Sequence, residues 1–218
     1  MSMEIYWISG SAPAWRVIMM AEYKQLDYQS IVLETSKKQQ KEPWFLNLNP
    51  RGQIPLLKHD DVVVTESLAI MHYLENAFST PPLFGKTPAE VASIEQSIFE
   101  ILSYVDKPVA DFVQPVFRNK IVQFRDLLDG VATKILKELS LLESKLSKTD
   151  WLQGGFSAAD IVLTPTMQRL YRGIAQAPEL SKEIGLNKLS EDFPALHGWR
   201  SRVEKLPAFI ASFPPHWN

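Results

Sequence analysis

The chain has no cysteine in 218 residues. This excludes disulfides, a thiolate nucleophile of its own, iron–sulfur clusters, cysteine–zinc sites and mixed-disulfide chemistry. A chain without disulfides fits a reducing compartment, and a cytoplasmic location is expected. Its four histidines, His59, His72, His197 and His216, show neither HxxxH nor HExxH spacing, so no metal site is expected. An excess of either charge is lacking too: 23 Lys+Arg against 25 Asp+Glu leave −2. With no basic field to hold a phosphate backbone, nucleic acid is not expected as a partner. No apolar run approaches the roughly 20 residues of a membrane helix, and Met1-Ser2-Met3-Glu4 lacks the basic start of a secretory signal. No membrane partner is expected either.

What is present reads as globular: 45% hydrophobic and 22% charged residues, in a length that suits one large domain or two small ones. Ile5-Tyr6-Trp7-Ile8 is β-prone and ends at the turn signal Ser9-Gly10. Pro13 suits the first turn of a helix reaching about Leu26, and Ser30-Ile31-Val32-Leu33 is a second strand. Ile54 to Lys58 and Val62 to Val64 flank an Asp-rich turn and read as a hairpin. Thr65 is a candidate N-cap for a helix from Glu66 to about Asn76. The order is βαβ then ββα, closing near residue 78. Residues 79–88, with Ser79-Thr80-Pro81-Pro82 and Gly85, form a linker. Beyond it strand signals vanish. Helices are expected over Glu90–Phe117, broken or kinked at Pro108 and Pro115, then over Phe124–Leu146, Ala158–Tyr171 and Pro194–Lys205. The expected architecture is an α/β domain over 1–78 and an all-α helical bundle over 89–218.

Ser11-Ala12-Pro13-Ala14-Trp15-Arg16-Val17 resembles the N-terminal signature of serine-type cytosolic glutathione transferases, with a serine five residues before Arg-Val. Asn49-Pro50-Arg51-Gly52-Gln53-Ile54-Pro55 is similar to that family's loop before a cis-proline. Glu66-Ser67-Leu68-Ala69-Ile70 through Tyr73-Leu74 resembles its helix start after the hairpin. Phe156-Ser157-Ala158-Ala159-Asp160-Ile161 resembles its Ser-x-x-Asp capping box, a folding feature. Phe193-Pro194-Ala195-Leu196 with Trp199 is similar to its late helix. These marks run in family order across nearly the whole chain, with theta-, zeta- and tau-like traits mixed. The resemblance implies a thioredoxin-like first domain and a homodimer, with Trp44 and Phe45 as candidate interface residues.

The resemblance also implies glutathione as co-substrate, with no further cofactor. A thiol attacks electrophiles as thiolate, and one with a pKa of about 8.5 is mostly protonated at neutrality. A donated hydrogen bond stabilises the anion. Ser11, just ahead of a helix N-terminus, is the candidate donor, although its local sequence alone reads as a helix cap. Ser9 and Tyr6 are the other hydroxyls nearby. Pro55, by resemblance cis, would turn the Ile54 backbone toward the cysteinyl part of glutathione. Glu66 and Ser67 would hold the γ-glutamyl end. Gln40 and Lys41 are both candidates for the glycine carboxylate, and Gln53 is a further donor. An apolar pocket for the second substrate would draw on side chains such as Phe112, Phe117, Phe213 and Trp217.

The activity implied is conjugation of glutathione to hydrophobic electrophiles, a detoxification chemistry, with reduction of organic peroxides beside it. Two alternatives stand: a zeta-like glutathione-dependent cis–trans isomerase, and a non-enzymatic ligand-binding or interaction module like that in the elongation factor gamma subunit. The zeta class has Ser-Ser-Cys where this chain has Ser11-Ala12-Pro13. Ser11, Pro55, Glu66 and Ser67 together favour an enzyme.

Overall fold

The computed structural model describes residues 2–217. The chain divides into two compact units, Met1–Pro82 with Lys205–Asn218, and Leu83–Glu204. In the first, the order is β1 (Met3–Trp7), α1 (Ala12–Tyr23), β2 (Gln29–Val32), 3-10 turns at Thr35–Lys37 and Gln39–Lys41, α2 (Pro43–Leu48), β3 (Leu56–His59), β4 (Val62–Thr65) and α3 (Ser67–Ala77). The four-stranded mixed sheet has the order β2-β1-β3-β4. The central strand β1 pairs in parallel with β2, Ile5 opposite Ser30, and antiparallel with β3, Ile5 opposite Leu57. This sheet with its helices has the thioredoxin-like arrangement, and the second unit is helical. Thr65 ends β4 rather than capping α3; Glu66 takes the N-cap.

Ile5, Leu57, Val17, Met20, Ala21, Ile70, Met71 and Leu74 are fully buried and make the core of the first unit from strand, α1 and α3 side chains. Lys24 closes the end of α1. Its buried ammonium donates to the carbonyls of Phe78 and Pro81, each at 2.7 Å, and pairs with Glu75 at 2.8 Å. The start of the linker is thereby tied back onto the sheet domain.

The second unit opens with α4 (Pro88–Glu100), where Thr87 and Glu90 form a reciprocal capping box. A π-helical segment, Ile101–Asp106, continues into α5 (Lys107–Phe117). Pro108 has no N–H to donate to the preceding turn, and the helix widens there instead of breaking. Then follow α6 (Ile121–Leu146), α7 (Ala158–Gln176), α8 (Pro178–Glu183), α9 (Leu189–Asp192) and α10 (Pro194–Val203). Among the described residues no helix is long and apolar enough to cross a membrane.

The last helix, α11 (Pro207–Ser212), belongs to the first unit, whereas the sequence reading puts everything after residue 88 in the helical half. The reason is an aromatic anchor with no local sequence signal. Trp15 on α1 donates from Nε1 to Ser212 Oγ at 2.9 Å, and its ring meets Phe209 and Phe213 at 5.6 and 5.7 Å.

Asp160 is the polar anchor of the helical unit. Its carboxylate accepts from the Ser157 N–H and hydroxyl (both 3.0 Å), the Leu152 N–H (3.1 Å) and Trp199 Nε1 (2.9 Å). It is fully buried, which pushes its pKa up, while these donors pull it down. Asp160→Ala strands four donors, three of them anchored to different segments. It should destabilise by at least about 3 kcal/mol, with Asp160→Asn falling between alanine and wild type. Equilibrium denaturation checks this, and a loss under about 1 kcal/mol for alanine would remove Asp160 as the anchor.

Candidate active site

Strand register brings the sequence-predicted residues to one end of the sheet. Trp7, the last residue of β1, pairs with Val32, the last of β2. Tyr6 lies opposite Leu56, the first residue of β3, and Leu56 opposite Thr65, the last of β4. The segments carrying Ser11, Gln40 and Lys41, Gln53 to Pro55, and Glu66 with Ser67 therefore all leave the sheet at that end, where open α/β sheets present ligand-binding loops.

Ser11 is half-buried and occupies the N-cap of α1 with φ −77° and ψ 118°. Its carbonyl accepts the first helical bond, from Trp15 N at 2.8 Å, but its hydroxyl makes no capping bond. An N-cap serine ordinarily accepts from the second or third helical N–H. Here Pro13 lies in that first turn, and it carries no N–H. The other two hydroxyls are engaged. Ser9 Oγ lies 3.1 Å from His216 Nδ1. Tyr6 donates to the Glu4 carboxylate, and burial together with that carboxylate pushes its pKa up to about 12.

The loop before β3 is built by residues that the sequence reading left without a role. Asn49 is buried; its Nδ2 donates to the Gln53 carbonyl at 2.7 Å and its Oδ1 accepts from Arg51 N at 3.1 Å. Gly52 has φ +57°, and a Cβ there would lie 2.6 Å from the Gln40 carbonyl. Only glycine lets the 39–41 turn close onto this loop. Lys41 is part of that closure, donating to the Arg51 carbonyl at 3.0 Å. Gln40 Oε1 is buried without a hydrogen-bond partner among the described residues. The Ile54–Pro55 bond is cis, with Pro55 buried and Ile54 half-buried. The Asn49-Pro50-Arg51-Gly52 turn signal was visible in sequence, but Asn49's bonds to Arg51 and Gln53 were not.

Glu66, at the N-cap of α3, has φ +69° and ψ 121° and makes no side-chain capping bond. Its side chain is exposed, and Ser67 opens the helix half-buried. A positive φ in a residue with a Cβ costs on the order of 1–3 kcal/mol and clusters at ligand sites. Among the described residues there is no group of three His, Asp or Glu side chains able to hold a metal. Of the apolar candidates, Phe112 is fully enclosed in the helical core, Phe117 lies under the Arg172 guanidinium, and Phe213 and Trp217 pack on Trp15.

A thioredoxin-like sheet carrying these loops, followed by a helical unit, defines a class of two-domain glutathione-binding folds. Comparison with known proteins gives the family. The description "Glutathione S-transferase, N-terminal domain" matches residues 10–77 and "Glutathione S-transferase, C-terminal domain" residues 105–207. Glutathione S-transferase A of Pleuronectes platessa is 32% identical over 222 residues, covering 99% of this chain and 92% of that protein. The crystal structure of a glutathione S-transferase from the Antarctic clam Laternula elliptica superposes with TM-score 0.85 at 31% identity, covering 100% of this chain and 94% of that one. Protein LigF of a Sphingobium species is 28% identical over 249 residues, covering 98% and 93%. The chain belongs to the glutathione S-transferase family and is a glutathione transferase enzyme, with glutathione as its co-substrate.

The backbone at residue 66 yields a direct test. Glu66→Gly should be more stable than Glu66→Ala by about 1 kcal/mol, a thermal midpoint about 2–4 °C higher in a chain of this size. Calorimetry on the two variants decides it. An alanine variant at least as stable as the glycine one would mean that residue 66 does not hold a positive φ in solution.

Proposed function

We propose that Ser11 holds the thiol of bound glutathione as thiolate, and that the enzyme transfers it to hydrophobic electrophiles in a cytosolic, detoxifying role, with reduction of organic peroxides as a secondary activity. One observation carries the reading: the Ser11 hydroxyl stands at the N-terminus of α1 without a capping bond. It is therefore free to donate to an anion, and the first-turn N–H groups of the 12-residue helix add positive potential. A charge-assisted bond of this kind contributes roughly 1.5–3 kcal/mol, or one to two pKa units.

The remaining roles follow from donor geometry. Ser67 and the N-terminus of α3 take the γ-glutamyl carboxylate, and Glu66 takes its ammonium. The strained backbone of Glu66 supports this, because it is retained where the ligand needs it. The backbone of Ile54, beside Pro55, pairs with the cysteinyl segment as an added strand. Gln40 donates from Nε2 to the glycine carboxylate; Gln40 is favoured over Lys41 because the Lys41 ammonium already holds the Arg51 carbonyl. Gln53 is a flanking donor from the same loop. The half-buried rings of Phe213 and Trp217 favour an apolar second substrate.

Ser11→Ala tests the assignment. The bound thiol's pKa should rise by about one to two units toward its free value. Conjugation of an activated aryl halide near neutrality should fall about tenfold, recovering at higher pH, with glutathione affinity nearly unchanged. An unaltered thiolate titration would overturn the role of Ser11.

The enzyme is also proposed to act as a twofold homodimer. Exposed apolar residues Trp44, Val62 and Val63 on the sheet domain support an interface there. Phe45, the other interface candidate, is fully buried within its own unit and cannot serve. Sedimentation should give about twice 24.8 kDa at micromolar concentration; a single-chain mass would refute the dimer.

A further inference from the structure

The C-terminal 3-10 turn, Pro215–Trp217, lies on the loop that leads to Ser11. His216 Nδ1 is 3.1 Å from Ser9 Oγ. The next residue, Gly10, has φ +83°, and a Cβ built there would lie 3.1 Å from both His216 Nε2 and Trp217 Nε1. The loop accommodates the two rings because residue 10 has no side chain. The turn is seated by Trp217, edge-on to Trp15 at 5.5 Å and to Phe213 at 6.3 Å. Trp15 itself is buried and bonded to Ser212, so the turn rests on a fixed base. The imidazole stays exposed to solvent.

The elements around this imidazole hold few charges. Neither the Ser9–Ser11 loop nor α11 has a titratable side chain. The titratable groups of α1 are Arg16, which is buried, and Glu22 and Tyr23 near the helix's far end, where Glu22 accepts from Tyr28. Among the described residues, no carboxylate of these elements competes for a proton at the thiol loop.

Resting on the Ser11 reading, we infer that His216 is a further catalytic residue, the proton acceptor for the glutathione thiol. A hydroxyl that donates stabilises a thiolate but does not remove the proton; none of Ser11, Ile54 or Ser67 supplies a base, and the Glu66 carboxylate is assigned to the γ-glutamyl ammonium. A neutral imidazole has one donor and one acceptor nitrogen. The tautomer proposed is the one in which Nδ1–H donates to Ser9 Oγ and Nε2 is the acceptor, beside Gly10 in the loop before Ser11. The S–H bond breaks and the proton joins Nε2. The electron pair stays on sulfur, held by the Ser11 hydroxyl and the N-terminus of α1. His216 is an exposed residue, and the imidazolium then passes a proton to water. Attack forms the S–C bond, and the electrophile's leaving group departs with its electron pair.

His216→Gln keeps an amide able to hydrogen-bond Ser9 and fill the space over Gly10, but it cannot take a proton. The variant should conjugate an activated aryl halide about tenfold more slowly at about pH 6.5, with the difference closing by about pH 9 as the thiol ionises unaided. Glutathione KM should not change, and imidazole buffer should restore part of the rate in His216→Ala. A wild-type pH profile in His216→Gln would overturn the proposal and leave the turn a packing role only. Ser11→Ala measured alongside separates the two readings. If it shifts the thiolate titration while His216→Gln changes nothing, the base fails and the Ser11 role stands. If only His216→Gln acts, the Ser11 role fails and the base stands. If neither acts, both fall.

Discussion

The register of β1 at the centre of the sheet is the constraint on which the site depends. With Tyr6 opposite Leu56, and Leu56 opposite Thr65, two hairpin strands end and begin where β1 and β2 end. A slip of one residue would turn the buried side chains of β1 and β3, Ile5 and Leu57 among them, out of the core. It would also move the Ile54–Pro55 segment away from the start of α1. Hydrophobic burial thus sets the placement of polar groups that contribute little to stability themselves.

Within that frame, the site is made of backbone ends and a few preorganised loops. Two helices begin there, α1 at Ala12 and α3 at Ser67, and neither N-cap residue uses its side chain for capping. Their first-turn N–H groups remain available to an anionic ligand. The intervening loop is held by Asn49 and by the close approach at Gly52, so Gln40 and Gln53 sit on a braced surface. The positive φ of Glu66 is local strain, and the paired sheet on one side and the helix on the other hold it in place.

The helical unit answers a different requirement. Its core surrounds α7, most of whose residues are buried, and the charge of Asp160 is tolerated there because four donors meet it. The π-helical turn before Pro108 belongs to the same economy of backbone hydrogen bonding: a missing N–H is absorbed by widening one turn while the helix continues.

The sequence alone determined the βαβ-ββα order, the change to helices after residue 78, the capping box at Ser157 and Asp160, and the short segments that form the candidate site. These are local signals, carried by turn residues, periodicity and caps a few positions apart. Tertiary structure decided what depends on contacts distant along the chain. Ser212 meets Trp15 and His216 meets Ser9 across about two hundred residues, so nothing near residue 205 in sequence shows that the C-terminus returns to the sheet domain. Which of three neighbouring hydroxyls stays free of a partner was likewise settled in space, because Glu4 engages Tyr6 and His216 engages Ser9. Spacing names the residues able to donate a proton or a hydrogen bond; only packing shows which are already engaged, because a hydrogen bond requires a partner within about 3 Å regardless of its place in the chain.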